Sequence, residues 1–364
     1  MYIYSILKNV VGYVVLTIIH NNNLNISNMT KKSNNSQKES KKRIVFLEKK
    51  VEEYKNREDF TKAISVESLE NFDTLKIDRN PKLKEETIAI ACISDVHAEE
   101  EVIKSVVSGL NTYNLKIAEE RVERFFKRLL YMIRQNRKAG YKIESLVLGL
   151  LGDFISGYIH EELEETNQLT PPQATLFIQK LLIKGIKTIA EEGNFKEILI
   201  PCIPGNHGRT TKRKRFSSGY RNSYEWLMYN NIADLFKQDP KYSHIKFIIA
   251  EGEFIYLNLF GYINMFSHGD HFNYQGGIGG IEVPLKKWIL RENSVVSTGV
   301  DMAWIAHWHQ YIVSNKVRVN GSVIGYNGYA RSFGFAPEPP KMQFQLLDKR
   351  RGYTLNNPIY LTDF

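Results

Sequence analysis

Between residues 87 and 364 the apolar positions follow two alternating rhythms. Short uninterrupted runs at 87–94 (Thr-Ile-Ala-Ile-Ala-Cys-Ile-Ser), 145–151 and 198–203 predict strands buried on both faces. Between and after them, 115–138, 173–192 and 223–236 carry apolar residues at helical spacing. In the first of these Ile117, Val122, Phe125, Phe126, Leu129, Leu130 and Ile133 make one inner stripe. Beyond residue 246 the predicted strands crowd together, at 247–249, 254–260, 262–266, 317–326 and 342–347. Alternating strands and helices predict α/β layers with at least one largely parallel sheet. The crowded strands predict a second sheet packed on the first, with helices outside. No repeat of solenoid length interrupts this pattern.

The first 82 residues read differently. Residues 1–19 are mostly apolar, with 10–19 the longest stretch and Lys8 before it, and an Asn-rich segment follows. This resembles a leader, but no small-x-small cleavage site follows and the run is short for a spanning helix. The alternatives are a weak membrane anchor or translated upstream sequence with the start at Met29, and the abrupt polar beginning Thr30-Lys31-Lys32-Ser33 favours the second. From 40 to 72 the pattern is charged and helical, with Ile44, Leu47, Val51 and Tyr54 in one stripe, and Asn80-Pro81 marks a boundary. The expected organisation is therefore a doubtful leader at 1–28, a basic helical extension at 29–82 and a main domain at 83–364.

Composition changes the picture little. The chain has 364 residues, 43% hydrophobic and 24% charged, which excludes wholesale disorder and rod-like assemblies. Its two cysteines, Cys92 and Cys202, lie in apolar runs and read as reduced core residues. That argues against a secreted disulfide framework and for a cytoplasmic location. The formal charge of +9 suggests a polyanion partner until it is located. Most of the excess sits between Lys31 and Arg57, so the main domain is nearly neutral.

The chemistry lies at the predicted strand ends, where ligands of α/β sheets bind. These ends read Ser94-Asp95-Val96-His97, Gly152-Asp153-Phe154-Ile155-Ser156-Gly157, Pro204-Gly205-Asn206-His207-Gly208-Arg209, Ser267-His268-Gly269-Asp270 and Ala306-His307-Trp308-His309. Any one of these pieces alone reads as a capped turn. Five in succession, holding five of the nine histidines, read as one site. Carboxylate, imidazole and amide donors without a thiolate suit divalent ions such as Mn²⁺, Fe²⁺ or Zn²⁺. A carboxylate held between two such ions is the two-metal arrangement for in-line attack at phosphorus.

The order Asp-x-His, Gly-Asp, Gly-Asn-His, His, x-His-x-His resembles the calcineurin-like metallophosphoesterases over about residues 87–310, and within them the Mre11- and SbcD-like nuclease branch. The resemblance implies a four-layer αββα sandwich of two mixed sheets flanked by helices, with two divalent ions, Mn²⁺ foremost. It implies that Asp95, His97, Asp153 and His309 hold one ion and that Asp153, Asn206, His268 and His307 hold the other. Asp153 would bridge them, a metal-activated hydroxide would attack, and His207 would stabilise or protonate the leaving oxygen. Three positions depart from the pattern. Gly208 stands where many relatives have Asp or Glu, so an acidic partner of the histidine is missing or comes from elsewhere. Ser156 replaces a common acidic or Asn residue, and Ala306 replaces a Gly.

The substrate is expected from the charge that follows Asn206-His207. Arg209, Lys212, Arg213, Lys214 and Arg215, with Arg221 behind, form a loop suited to clamping a polyanion. Phe216, Tyr220 and Tyr224 offer stacking faces, whereas Trp226 is expected in the core. Asp270 and His271 are candidates to support the neighbouring ligands, Tyr326, Tyr329 and Arg331 to line the cleft. The Gly276–Gly280 cluster reads as a loop that could approach a phosphate. The expected activity is phosphodiester hydrolysis with DNA as partner. The alternatives are an enzyme of the same chemistry acting on a small nucleotide or phosphoprotein, and a binding protein that has lost turnover. Homo-oligomerisation and an ATPase partner stay open, and no stable membrane insertion is expected. The abundance of Asn, Lys and Ile fits an AT-rich genome such as that of a virus of bacteria.

Overall fold

Strand β2 (Thr87–Ile93) alternates Ile88, Ile90 and Cys92 on one face with Ala89, Ala91 and Ile93 on the other, and all are fully buried. Such a strand needs cover on both sides, and the structure supplies a helical layer on one and a second sheet on the other. The computed structural model describes residues 44–45, 75–77, 86–215, 217–272, 280–295 and 299–363. The leader at 1–28, most of the basic extension, Phe216 and the glycine cluster up to Gly279 lie outside them. The chain falls into two compact units, Met1–Ser68 and Leu69–Phe364, and the second holds both large sheets.

In chain order its strands are β1 (Lys76–Ile77), β2, β3 (Ile143–Leu150), β4 (Glu197–Cys202), β5 (Ile245–Ile249), β6 (Ile255–Leu259), β7 (Tyr262–Phe266), β8 (Met302–Ile305), β9 (Ile312–Val313), β10 (Val317–Val319), β11 (Lys341–Met342), β12 (Phe344–Asp348), β13 (Gly352–Asn356) and β14 (Ile359–Tyr360). Its helices are α1 (Leu115–Lys138), α2 (Glu161–Thr166), α3 (Pro171–Glu192), α4 (Tyr224–Lys237), α5 (Glu282–Val295) and α6 (Gly328–Ser332). One sheet runs β13-β12-β2-β3-β4-β5, with β2 to β5 parallel and β12 antiparallel. The other runs β1-β6-β7-β8-β10-β9, with β7, β8 and β10 parallel. Both sheets are mixed.

Three apolar layers fix the stacking. Helices α1, α3 and α4 cover the outer face of the first sheet; Phe125, Leu129, Ile178, Ile186 and Ile232 are among their fully buried contacts. Between the sheets lie Ile90, Val147, Leu199, Leu257, Phe266 and Trp304. Beyond the second sheet, Leu285 and Ile289 of α5 meet Met265, Ile305 and Val317. Each fully buried Leu, Ile or Phe contributes about 1.5–3 kcal/mol relative to exposure. The result is the four-layer αββα sandwich. The helices start where the local chemistry allows: Asn114 caps α1 by accepting from Ile117 N–H, and Thr170 with Gln173 forms a capping box on α3 ahead of Pro171. Among the described residues no helix is long and apolar enough to cross a membrane.

One expected strand is largely absent. Of 317–326 only Val317–Val319 pairs, and 320–326 is a buried loop although Val323 and Ile324 are fully covered. Its backbone is satisfied without a ladder. The Arg121 guanidinium of α1 donates to the carbonyls of Val323 and Ile324, at 2.8 and 2.7 Å. The N–H groups of Val323 and Ile324 donate to the Asp95 carbonyl, at 3.0 and 3.2 Å.

Candidate metal centre

Because β2, β3 and β4 run parallel, their carboxyl ends lie on one edge of the first sheet, and those of β7 and β8 on one edge of the second. The edges meet. The turns after the strands are stitched to each other: Asp95 N–H donates to the Gly152 carbonyl at 3.0 Å, Val96 N–H to Asp153 at 2.8 Å, and Ala306 N–H to His268 at 2.8 Å. Gly152 has φ +84°, and a Cβ there would lie 2.3 Å from the Gly205 nitrogen; a Cβ on Gly205 would lie 2.1 Å from Asp153 Oδ1. Only glycine lets these turns approach so closely.

The structure brings together all seven predicted ligands. Asp95, His97 and His309 form one group and Asp153, His268 and His307 another, with ligand atoms in each within 4.8 Å of one another. Asn206 joins the second, its Oδ1 3.1 Å from His268 Nε2. Ring centroids of His97 and His309 are 5.2 Å apart, those of His268 and His307 5.1 Å. Asp95, His97, Asp153, His307 and His309 all have left-handed backbone, with φ between 46° and 70°. For residues with a Cβ this conformation costs about 1–2 kcal/mol each, and such strain clusters where function fixes a side chain.

The donor set fits metal ions. His97 Nδ1 is held by Ser156 Oγ at 3.1 Å, and its Nε2 is buried without a partner. His268 donates Nδ1–H to the Leu151 carbonyl at 2.7 Å, which turns the Nε2 lone pair toward Asp153 Oδ2 at 3.0 Å and Asn206 Oδ1. Three electron-rich atoms converge there and require a cation among them. A proton can serve: burial disfavours charge on His268, but the Asp153 carboxylate outweighs it and pushes the pKa up to about 10. Asp153 itself is held well below the usual carboxylate range, because burial is overcome by His268 and His207. His307 is driven down to about 4 by burial and then by His268. Asp153 thus stays ionised and His307 neutral, as a divalent-ion site needs, while His268 carries a proton in the place a cation would take.

His207 lies beside the first group, its ring centroid 4.8 Å from that of His97. Its Nδ1 donates to the Ser156 carbonyl at 2.8 Å, and its backbone N–H donates to Asp153 Oδ1 at 2.8 Å. A backbone carbonyl thus orients this imidazole, and no carboxylate following it is needed. Gly208 has another explanation. A Cβ there would lie 2.7 Å from Cγ of Glu225, a fully buried residue on the first turn of α4. Its Oε1 accepts from Phe154 N–H at 2.5 Å and its Oε2 from Gly205 N–H at 2.6 Å, so one carboxylate ties the Asp153 turn to the Asn206 turn. Burial, with Asp153 adding to it, lifts the Glu225 pKa to about 7.

Sequence reasoning missed Glu225, whose visible signal is a Glu on the buried stripe of α4 paired with a glycine after Asn-His. It also missed Glu99 and Glu100. Glu99 Oε1 accepts from Ser156 and Gly157 N–H, both at 2.9 Å. Ser156 Oγ–H donates to Glu100 Oε2 at 3.3 Å while accepting from His97 Nδ1–H, a relay that fixes the imidazole tautomer. Ser156→Ala should therefore weaken Mn²⁺ binding about 10–100-fold by calorimetry, with the fold retained. Equal affinity in the variant would show that the relay does not position His97.

The basic loop is only partly free. Arg209 donates to the carbonyls of Asn206 and Thr211, at 2.8 and 3.2 Å, and Lys214 pairs with Glu253 and Asp270, both at 2.7 Å. Lys212, Arg213 and Arg215 are exposed. Arg209, Lys214 and Arg215 line a cavity of about 70 Å³ that reaches Asn206 and His268. Asp270 serves this loop through Lys214, whereas His271 packs against Phe254, Phe272 and Trp288. Trp226 is half-buried rather than in the core, because the buried face of α4 is Glu225, Met228, Tyr229, Ile232 and Phe236; its ring lies 5.9 Å from that of Tyr220. A larger cleft of about 900 Å³ reaches both groups, lined by His97, Asp153, Asn206, His207, His307 and His309, and by Tyr329 and Arg331 as expected. Tyr326 lines a separate small cavity beside His309. Cys92 and Cys202 are free and buried.

No protein-family model and no curated protein matches the chain. Among solved structures it is similar to a 5'-nucleotidase of Staphylococcus aureus in complex with alpha-ketoglutarate, at 11% identity and a TM-score of 0.32, over 77% of this chain and 55% of that one. The chain thus spans about half the length of that protein. It is also similar to a dimetal phosphatase of Danio rerio (9% identity, TM-score 0.33, 76% and 99% covered). A phosphopantetheinyl hydrolase of Mycobacterium tuberculosis gives 12% identity, TM-score 0.27, and 69% and 93% covered. At these values the likenesses carry no argument beyond the geometry itself.

Proposed function

We propose that this protein is a two-metal phosphoester hydrolase that cleaves phosphodiester bonds, with nucleic acid, DNA first, as its substrate. The observation that carries the reading is the pair of adjacent Asp/His groups, with Asp153 in one and in hydrogen-bond contact with His207 beside the other. Two divalent ions held there, Mn²⁺ foremost, would stabilise charge on a phosphoryl oxygen and make water acidic enough to attack near neutral pH. Asp95, His97, Asp153 and His309 would hold the first ion, and Asp153, Asn206, His268 and His307 the second. The chain's own part is to hold these donors in the tautomers described and to aim His207. With Nδ1 tied to Ser156, that ring faces the cleft and can stabilise the departing oxygen.

The exposed side chains of Lys212, Arg213 and Arg215, in the loop that follows Asn206 and His207, favour a polyanion, and Arg215 lines the cavity that reaches Asn206 and His268. Replacing all three by Ala should weaken single-stranded DNA binding and reduce the slope of log K against log salt by about 2, while hydrolysis of small esters persists. Equal loss on both substrates would make the loop structural. A second reading, a small nucleotide diester as substrate, is favoured by the internal pairing of Arg209 and Lys214, which leaves the clamp shorter than the sequence suggests. Incubating the Mn²⁺-supplied protein with single- and double-stranded DNA, bis(p-nitrophenyl) phosphate and p-nitrophenyl phosphate tests the proposal. DNA cleavage supports the first reading and small-ester cleavage alone the second. No hydrolysis of any of them, with Mn²⁺ bound, rejects both.

A further inference from the structure

The two flanks of the centre differ in character. On the side of Asn206 and His268 the cavity wall is charged in both signs, Arg209, Lys214 and Arg215 against Glu251, Glu253 and Asp270. The cleft on the side of His207 is walled by Ile103, Val106, Tyr329 and Phe333, each more than half exposed. Large apolar side chains gathered at the mouth of a polar site mark the seat of a ligand rather than ordinary surface. The aromatic wall is preformed. Tyr329 and Phe333 stand four residues apart with ring centroids 4.5 Å apart, on and just after α6. Asn327 caps that helix by accepting from Ala330 N–H, and its amide donates to Glu100 Oε1 at 2.9 Å. Glu100 in turn accepts from Ser156, which holds His97. The wall is thus tied through three hydrogen bonds to a predicted ligand.

The charge of the cleft points the same way. Glu100, Glu101 and Glu162 line it, against Arg331 as its one Arg or Lys among the described lining residues. Beyond the proposed metal ligands, a second phosphate entering here meets predominantly like charge, whereas an uncharged ring meets apolar and aromatic side chains.

We infer that this cleft receives the uncharged aromatic or apolar group on the leaving side of the phosphoester, and that the substrate carries no further phosphate on that side. The inference rests on the two-metal hydrolase reading and deepens it: cleavage falls one residue from a terminus, or in a small diester. Water adds its oxygen to phosphorus. The bond from phosphorus to the leaving oxygen breaks with its electron pair on that oxygen, which takes up one proton as the alcohol or phenol departs into the cleft.

The test uses the full chain supplied with Mn²⁺. Its substrates are bis(p-nitrophenyl) phosphate and a thymidine dinucleotide, the latter also with an added phosphate at its 5' or its 3' end. The variant Y329A/F333A removes two exposed rings and should leave folding and calorimetric Mn²⁺ affinity unchanged. It should raise KM for the aryl diester and the plain dinucleotide by about tenfold or more, with a smaller change in kcat. In the wild type one of the two end-phosphorylated dinucleotides should be cut at least about tenfold less efficiently than the plain one, and E101K/E162K should restore it. Unchanged KM in Y329A/F333A, or equal cleavage of all three dinucleotides, overturns the inference while leaving the hydrolase reading intact. No hydrolysis of any substrate by the Mn²⁺-bound wild type overturns the hydrolase reading, and the inference with it.

Discussion

Asp153→Asn is expected to lower kcat by about a thousandfold or more and to reduce the Mn²⁺ stoichiometry below two. The size follows from the number of contacts one carboxylate serves. Oδ1 accepts from His207 N–H and Oδ2 faces His268 Nε2, both at 3.0 Å or less, while the Asp153 carbonyl accepts from Val96 and His97 N–H. Loss of an outer partner of a metal ligand costs roughly 10–100-fold; loss of a charge shared by two sites should exceed that. An amide has one oxygen with acceptor character and no net charge, so it cannot balance two divalent ions. The backbone contacts and volume persist in the variant, so the chain should still fold in the absence of metal. Full activity in the Asn variant would remove Asp153 from the centre.

Glu225→Ala is the second large effect. The substitution leaves Phe154 N–H and Gly205 N–H without an acceptor inside a closed site. Each buried unsatisfied group costs about 1–3 kcal/mol, so a loss of about 2–5 kcal/mol in denaturant unfolding is expected. Mn²⁺ affinity should fall as well, because the turns that carry Asp153 and Asn206 are no longer tied together. Glu225→Gln keeps an oxygen for one turn only and should fall between. The decisive variant is Gly208→Asp combined with Glu225→Ala. A side chain on residue 208 enters the space that the Glu225 methylene now fills, since its Cβ would lie 2.7 Å from Cγ. Recovery of part of the lost Mn²⁺ affinity in the double variant would show that the carboxylate, and not the residue supplying it, is what the site requires. No recovery, with the fold intact, would assign Glu225 a purely structural part.

Much of this architecture is legible in the sequence because it obeys local rules. The run 87–94 is apolar throughout, since β2 is covered on both faces, and 115–138 shows its stripe because only one side of α1 is buried. That the seven candidate ligands converge follows from the sequence, because each comes after an apolar run at a strand end and parallel strands bring those ends to one edge. What was illegible depends on groups distant in sequence. Residues 320–326 look like a strand because they are buried. What makes them a loop is Arg121, some two hundred residues earlier, and the Asp95 carbonyl. Lys214 reads as a free cation until Glu253 and Asp270 are seen beside it. Glu225 looks like an ordinary first-turn acid of α4; only the proximity of Gly208 gives it a task. The short elements α2 and β14 carry too few residues for any periodicity to register.

The loop at 320–326 has a mechanical implication. Asn320 N–H donates to the Ile305 carbonyl at 2.7 Å and its amide to Ser94 Oγ at 2.8 Å, so this segment fastens the end of β8 to the end of β2. Ser94 Oγ–H in turn donates to Asp95 Oδ2 at 2.5 Å. The candidate donors of each group come from both halves of the sandwich, so a metal held there would be a rivet through the seam. Ion affinity then gauges the alignment of the two halves. Drift in Trp304, Phe266 or Val147, remote from any chemistry, would be felt first as a leaking metal rather than as an unfolded chain.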